Sequence, residues 1–148
     1  MGSKSQQNGN EGEKLFSDTF RSFGYWALII ARNNQGSQPF DIIAAKGNEG
    51  KYIFWMVDSK VVEHGASFPF SDIQPNQIES MNYAVKFAKA SPRLVGFAIF
   101  FKAIQRMGFM TYEKYREAHG LGKKSIRVED IFDLCDYVEE AEREILNN

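Results

Sequence analysis

Three apolar runs packed into 36 residues constrain this chain most: "YWALIIAR" (25–32), "FDIIAAK" (40–46) and "KYIFWMVDSK" (51–60). The first gap, "NNQGSQP" (33–39), is rich in residues that favour turn backbone, and the second is a short Gly-Asn-Glu-Gly turn. Runs of this length between such breakers read as strands, the last two forming a hairpin. They are apolar along nearly their whole length, which predicts a central sheet covered on both faces. Trp26 and Trp55, inside these runs, read as core residues ahead of base-stacking platforms.

Helices are expected on either side. In "EGEKLFSDTFRSF" (11–23), Phe16, Phe20 and Phe23 recur at helical spacing up to Gly24. From Gln74 to Ala90, Ile78, Met81, Val85 and Ala88 do the same, with Pro75 suited to the first turn and Ser91-Pro92 to the end. Between them, "VVEHGASFPFSDIQP" (61–75) has no periodicity and reads as a loop. "LVGFAIFFKA" (94–103) is a further buried strand with Phe97, Phe100 and Phe101 in the core. "MGFMTY" (107–112) is a short or edge strand, and "YEKYREAHG" (112–120) a helix closed by Gly120. Ile131, Leu134, Cys135, Val138, Ala141 and Ile145 stripe a C-terminal helix opened by acids, as the helix dipole prefers. The class is α/β, with helix, three strands, helix and strand in order, then mixed elements.

A chain of 148 residues, 43% hydrophobic and 25% charged, suits one domain with a real core. Residues 1–10 are expected to be a disordered polar tail, and residues 11–148 a single domain. No apolar run approaches the roughly 18 residues of a membrane span, and the first residues lack a signal peptide's apolar region. The sole cysteine, Cys135, excludes an intrachain disulfide and fits a reducing, cytoplasmic setting. With only His64 and His119 beside it, a zinc site is not expected. Net charge is −1, but residues 129–148 carry eight acids against Arg143, a balance of −7, which leaves +6 on residues 1–128. A basic body of that kind can bind phosphates on one face. Lys14, Arg21, Arg32, Lys46 and Lys51 are candidates, without forming a continuous stripe, while His64 reads as an exposed loop residue.

The chemistry lies at the polar ends of the hairpin. Asp58 and Lys60 are two apart, so both leave one face of a strand, roughly 7 Å apart along it. Antiparallel pairing around the turn brings Asp41 close to residues 57–60. Two carboxylates so placed repel unless a cation lies between them, and oxygen ligands suit Mg²⁺ or Mn²⁺. An isolated Asp-x-Lys is most often only an exposed ion pair. Here it follows Pro39-Phe40-Asp41 at a hairpin spacing, with Glu13 on the preceding helix and Gln77 on the following one.

"PFD…DSK" resembles the PD-(D/E)xK nuclease pattern, and "SFPFSDIQPNQIESM" (67–81) resembles the RecU Holliday junction resolvases, which carry Ser-Phe-Pro and then a Gln-Ile-Glu helix after the lysine strand. The resemblance runs from about Glu11 to Thr111. It implies a restriction-endonuclease-like fold: a central mixed sheet flanked by helices. It further implies that Asp41 and Asp58 ligate Mg²⁺ (or Mn²⁺), that Glu13 completes the metal site, and that Lys60 activates water. Gln77 then lies near the active centre, and Ser67 and Phe68 lie in the segment approaching DNA. The implied activity is hydrolysis of DNA to 5′-phosphate and 3′-hydroxyl ends, by a homodimer that resolves four-way junctions in recombination or repair. Two features depart from RecU. Asp58 stands where those proteins usually have Glu, and only "NNQGSQP" fills the place of their projecting stalk. In that compactness the chain resembles archaeal junction resolvases, with Ser37 as a candidate for their loop serine. Nucleases acting on flaps, ends or duplex, and a non-catalytic DNA-binding accessory protein, are the alternatives.

Overall fold

The computed structural model describes residues 4–30, 40–87 and 89–146, with side chains from Glu11 onward. The "NNQGSQP" turn, Arg32, Ser37, Pro39 and Ala88 lie outside these residues.

The first helix, α1, spans Lys4–Ser22 and so begins inside the segment expected to be a tail. Its end is a hydrogen-bonded reversal: the amide of Gly24 donates to the Arg21 carbonyl and that of Tyr25 to Phe20. Gly24 has φ +90°, the left-handed conformation this helix stop requires. Three antiparallel strands follow: β1 (Trp26–Ile29), β2 (Ile42–Asn48) and β3 (Lys51–Val62). Glu49 and Gly50 both have positive φ, 52° and 81°, and so close β2 onto β3 in the tight turn whose twist matches the strands.

β3 runs past Lys60 into the stretch expected to be a loop, and Ser67–Pro69 forms a further short strand, β4. Helix α2 (Pro75–Lys86) carries the chain back to β5 (Val95–Phe101), which pairs parallel with β3. Then come β6 (Arg106–Thr111), α3 (Tyr112–Gly120), β7 (Ser125–Arg127), β8 (Phe132–Asp133) and α4 (Leu134–Leu146). Asp133 caps α4 by accepting from the Asp136 amide at 3.1 Å. Ile131 therefore precedes the helix and does not open its stripe. The central sheet has the order β1-β2-β3-β5-β6-β8, and β4 pairs with β7 in a small separate ribbon.

Alternation along β3 sorts its side chains between two cores. Ile53, Trp55 and Val57 join Phe16 and Phe20 of α1 and Tyr137, Val138 and Ala141 of α4. Met56 meets a second cluster containing Met81 and Ala84 of α2 with Phe97 and Ile99 of β5. β5, buried at all seven positions, is covered on both faces as expected. The hairpin is not. Trp26 is 60% exposed and Tyr52 79%, and Leu28 and Phe54 are also exposed. These four share the α2 side of the sheet, but that cluster takes in only the other end of these strands, at Ile30, Phe40, Met56 and Val62. Trp26 is therefore not a core residue, whereas Trp55 is fully buried.

Candidate active site

The β2–β3 register opposes Ile42 and Val57, which places Asp41 across from Asp58. The Asp41 amide donates to the Val57 carbonyl at 3.1 Å, and its Oδ2 accepts from the Ser59 amide at 2.8 Å. That second bond ties the side chain to β3 and leaves its acid beside Asp58. Asp58 is 1% exposed and Asp41 6%. Lys60 leaves the same face, and its Nζ sits 3.1 Å from Asp58 Oδ2.

Gln77 joins the two. Its Oε1 accepts from Lys60 Nζ at 2.9 Å, and its Nε2 donates to Asp58 Oδ1 at 3.2 Å. The same Oε1 accepts from the Gln74 amide at 2.9 Å, closing the capping box that starts α2. Helix initiation and the orientation of the Asp58–Lys60 pair thus depend on one amide. Because an amide presents both donor and acceptor, it can hold an acid and an ammonium at once.

Burial, followed by the neighbouring Asp41, pushes the Asp58 carboxyl well above the usual range, and Lys60 only partly opposes this. Asp58 Oδ2 is buried without a hydrogen bond of good geometry, with the Lys60 ammonium beside it at 3.1 Å. Two buried carboxyls, one with an oxygen left over, are the donor chemistry of a hard divalent cation. Among the described residues no group of three or more acid, histidine or cysteine side chains is arranged to hold a metal ion. Asp41 and Asp58 meet as a pair. Glu13 is buried on α1, where the helix packs tightly on β3: a Cβ on Gly12 would lie 2.8 Å from Ser59 Oγ.

Other expected residues are spread differently. Ser67 is exposed on β4, but the Phe68 ring is fully buried. Three of the basic candidates are committed elsewhere. Lys14 pairs with Asp18, Arg21 donates to the Ala27 carbonyl, and Lys46 binds the Phe23 carbonyl and Glu142. Lys51 stands at the turn end of β3, away from the acids. The β4–β7 pairing, which joins residues 67–69 to 125–127, is not among the expected elements. Its signal is present in "SIRVE", where Ile126 and Val128 alternate with polar residues.

Neither a protein-family model nor a curated protein sequence matches the chain. Solved structures do. The Holliday junction resolvase Hjc of Archaeoglobus fulgidus superposes with a TM-score of 0.58 over 86% of this chain and 96% of its own, at 13% identity. A nuclease from a fusselovirus gives 0.57 over 97% and 95%, at 12% identity. The chain therefore shares the fold of these two structures, the restriction-endonuclease-like fold of a central mixed sheet flanked by helices. In this fold the Asp41–Asp58–Lys60 group lies between β2 and β3, with α2 closing over it through Gln77.

Proposed function

We propose that the chain is a Mg²⁺- or Mn²⁺-dependent endodeoxyribonuclease that cuts branched DNA, with the four-way junction as its preferred substrate. The observation that carries this reading is the buried Asp41–Asp58 pair with Lys60 and Gln77 locked against it. Similarity to the archaeal resolvase supports junction DNA as substrate. The fusselovirus nuclease supports a second reading, hydrolysis of other DNA structures by the same site. A homodimer follows from the junction reading, since resolution takes two symmetric cuts, and such an activity serves recombination or repair.

Asp41 and Asp58 would hold the cation, with Glu13 as the neighbouring helix acid. Bound there, it supplies Lewis-acid stabilisation of charge developing on the phosphate. The chain's own groups prepare the site for that charge. Ser59's amide fixes Asp41, and Gln77 holds the Lys60 ammonium where it can stabilise a phosphoryl oxygen or assist the attacking water. Burial strengthens each of these interactions by excluding water.

The test is cleavage of a four-way junction and of a linear duplex of matched sequence, each with Mg²⁺ or Mn²⁺. Asp58→Ala is expected to lose on the order of 10³-fold in rate, the scale for removing a group that stabilises transition-state charge. Full activity of that variant would overturn the site, and equal cutting of junction and duplex would favour the second reading.

A further inference from the structure

Beyond the acids, β3 ends in a cleft of about 450 Å³ whose lining starts at Val61 and includes Glu63, His64, Ser67, Asp72 and Ser125. It begins one residue past Lys60. Its far wall is the β4–β7 ribbon, in which Ser67 opposes Arg127 and Pro69 opposes Ser125. The ribbon is held on both sides of these pairs: Phe70's amide donates to the Lys124 carbonyl at 2.9 Å and Val128's to Ala66 at 2.8 Å. Phe68 and Ile126, buried beneath, fix it to the second core. Lys123 and Lys124 immediately precede Ser125 of the lining, and the bond from Phe70 to the Lys124 carbonyl fixes their backbone beside it.

Both lysines are exposed, and neither forms an ion pair among the described residues. The nearby cations differ: Arg127 pairs with Glu129 at 2.6 Å, and Lys102 with Glu11 and Glu63. The Lys102 contact at 3.8 Å offsets the charge of Glu63 on the cleft wall. Asp72 opposes an anion there, against the two lysines. Two uncommitted cations on a fixed backbone next to a cleft that begins one residue past Lys60 suit a chain of phosphates leaving the site.

We propose that this cleft is a second nucleic-acid subsite, in which Lys123 and Lys124 hold backbone phosphates of the strand running on from the scissile bond. It rests on the nuclease reading and adds a binding element that the Asp41–Asp58 site lacks. The contacts are to phosphate, so they add affinity without reading sequence.

The experiment measures binding of the full-length protein to fluorescent four-way junction and duplex DNA across a salt series, with Ca²⁺ in place of Mg²⁺ to suppress cleavage. K123E/K124E is expected to weaken binding at least 10-fold and to reduce the slope of log affinity against log salt by about 2 on duplex, roughly 0.9 for each phosphate no longer neutralised. In cleavage assays with Mg²⁺, KM should rise while kcat is unchanged. K89E, the same charge reversal beyond the far end of α2, is the control and should have less than a third of that effect on affinity. An unaltered salt slope in K123E/K124E, or an equal loss in K89E, overturns the subsite. Failure of the wild-type protein to cleave any DNA would overturn the nuclease reading instead, because the binding measurement does not depend on catalysis.

Discussion

The two ends of β3 invert the usual rule of burial. At the turn end, Tyr52 is 79% exposed and Phe54 45%; at the other, Asp58 is 1% exposed and Ser59 8%. One strand thus leaves aromatics in water and takes a carboxyl out of it. The difference lies in what covers each end. α2 reaches the sheet at Met56 and closes over Asp58 and Lys60, and α1 packs on Ser59 from the other side. The turn end is covered on one face only, by α1 and α4 over Ile53 and Trp55. Exposed aromatics cost the fold little, whereas a buried acid beside another acid opposes folding. The site end is therefore the one whose composition calls for a functional explanation.

The largest break in this comparison comes from neighbours in sequence. Trp55 is fully buried and meets Phe20, Tyr25, Phe109 and Tyr137 edge-on or tilted at 5.5–6.5 Å between ring centres. Trp55→Ala should cost ~3–5 kcal/mol in urea unfolding, through the cavity left among those rings. Phe54→Ala, one residue away on the open face, should fall within about 1 kcal/mol of wild type. Similar losses for the two would mean that the exposed face is covered after all.

Gln77 gives a smaller effect, felt first in catalysis. Gln77→Ala removes the bridge from Lys60 to Asp58 and one acceptor from the α2 cap. A kcat lower by roughly 10–100-fold is expected, the scale of removing one or two positioning hydrogen bonds, with about 1 kcal/mol of stability gone from the cap. Gln77→Glu keeps the cap acceptor and the bond to Lys60 but turns a carboxyl toward Asp58. It should recover stability above that of Gln77→Ala only at low pH. Normal kcat in Gln77→Ala would confine the residue to helix capping.

How much of this is legible in the sequence follows from how local each feature is. The hairpin and its polar ends can be read because register follows from one short turn, and Asp41 does face Asp58. Gln77 can be placed because α2 starts at Pro75 and returns over the strand it follows. Trp26 departs from expectation because an apolar strand signals a sheet without saying which end a helix will cover. β4 and β7 escape a local reading because each is three residues long and finds its partner more than fifty residues away, Phe68 opposite Ile126. The cluster around Asp58 is legible as chemistry, but the exclusion of water around it depends on α1 and α2 packing together, which no local pattern states.

The smallest effect tests the asymmetry most directly, since it concerns the acid's burden on the apo fold. Burial and Asp41 raise the folded-state pKa of Asp58 above its ordinary value of 3.8. Below that value the carboxyl is protonated in both folded and unfolded chains, and no penalty arises. Above it the unfolded chain ionises first, so stability falls as pH rises, until the folded carboxyl ionises as well. Asp58→Asn removes this dependence while keeping an acceptor for Gln77. In EDTA it should raise stability at neutral pH and flatten the decline above pH 4. Urea titrations at pH 4, 5.5 and 7 read both changes, and adding Mn²⁺ should reverse the order by stabilising the wild type more than the variant. If Asp58→Asn were instead less stable at pH 7 in EDTA, the ion pair with Lys60 would outweigh the cost of burial. Asp58 would then be an ordinary partner in the fold, and its burial would no longer set the two ends of β3 apart.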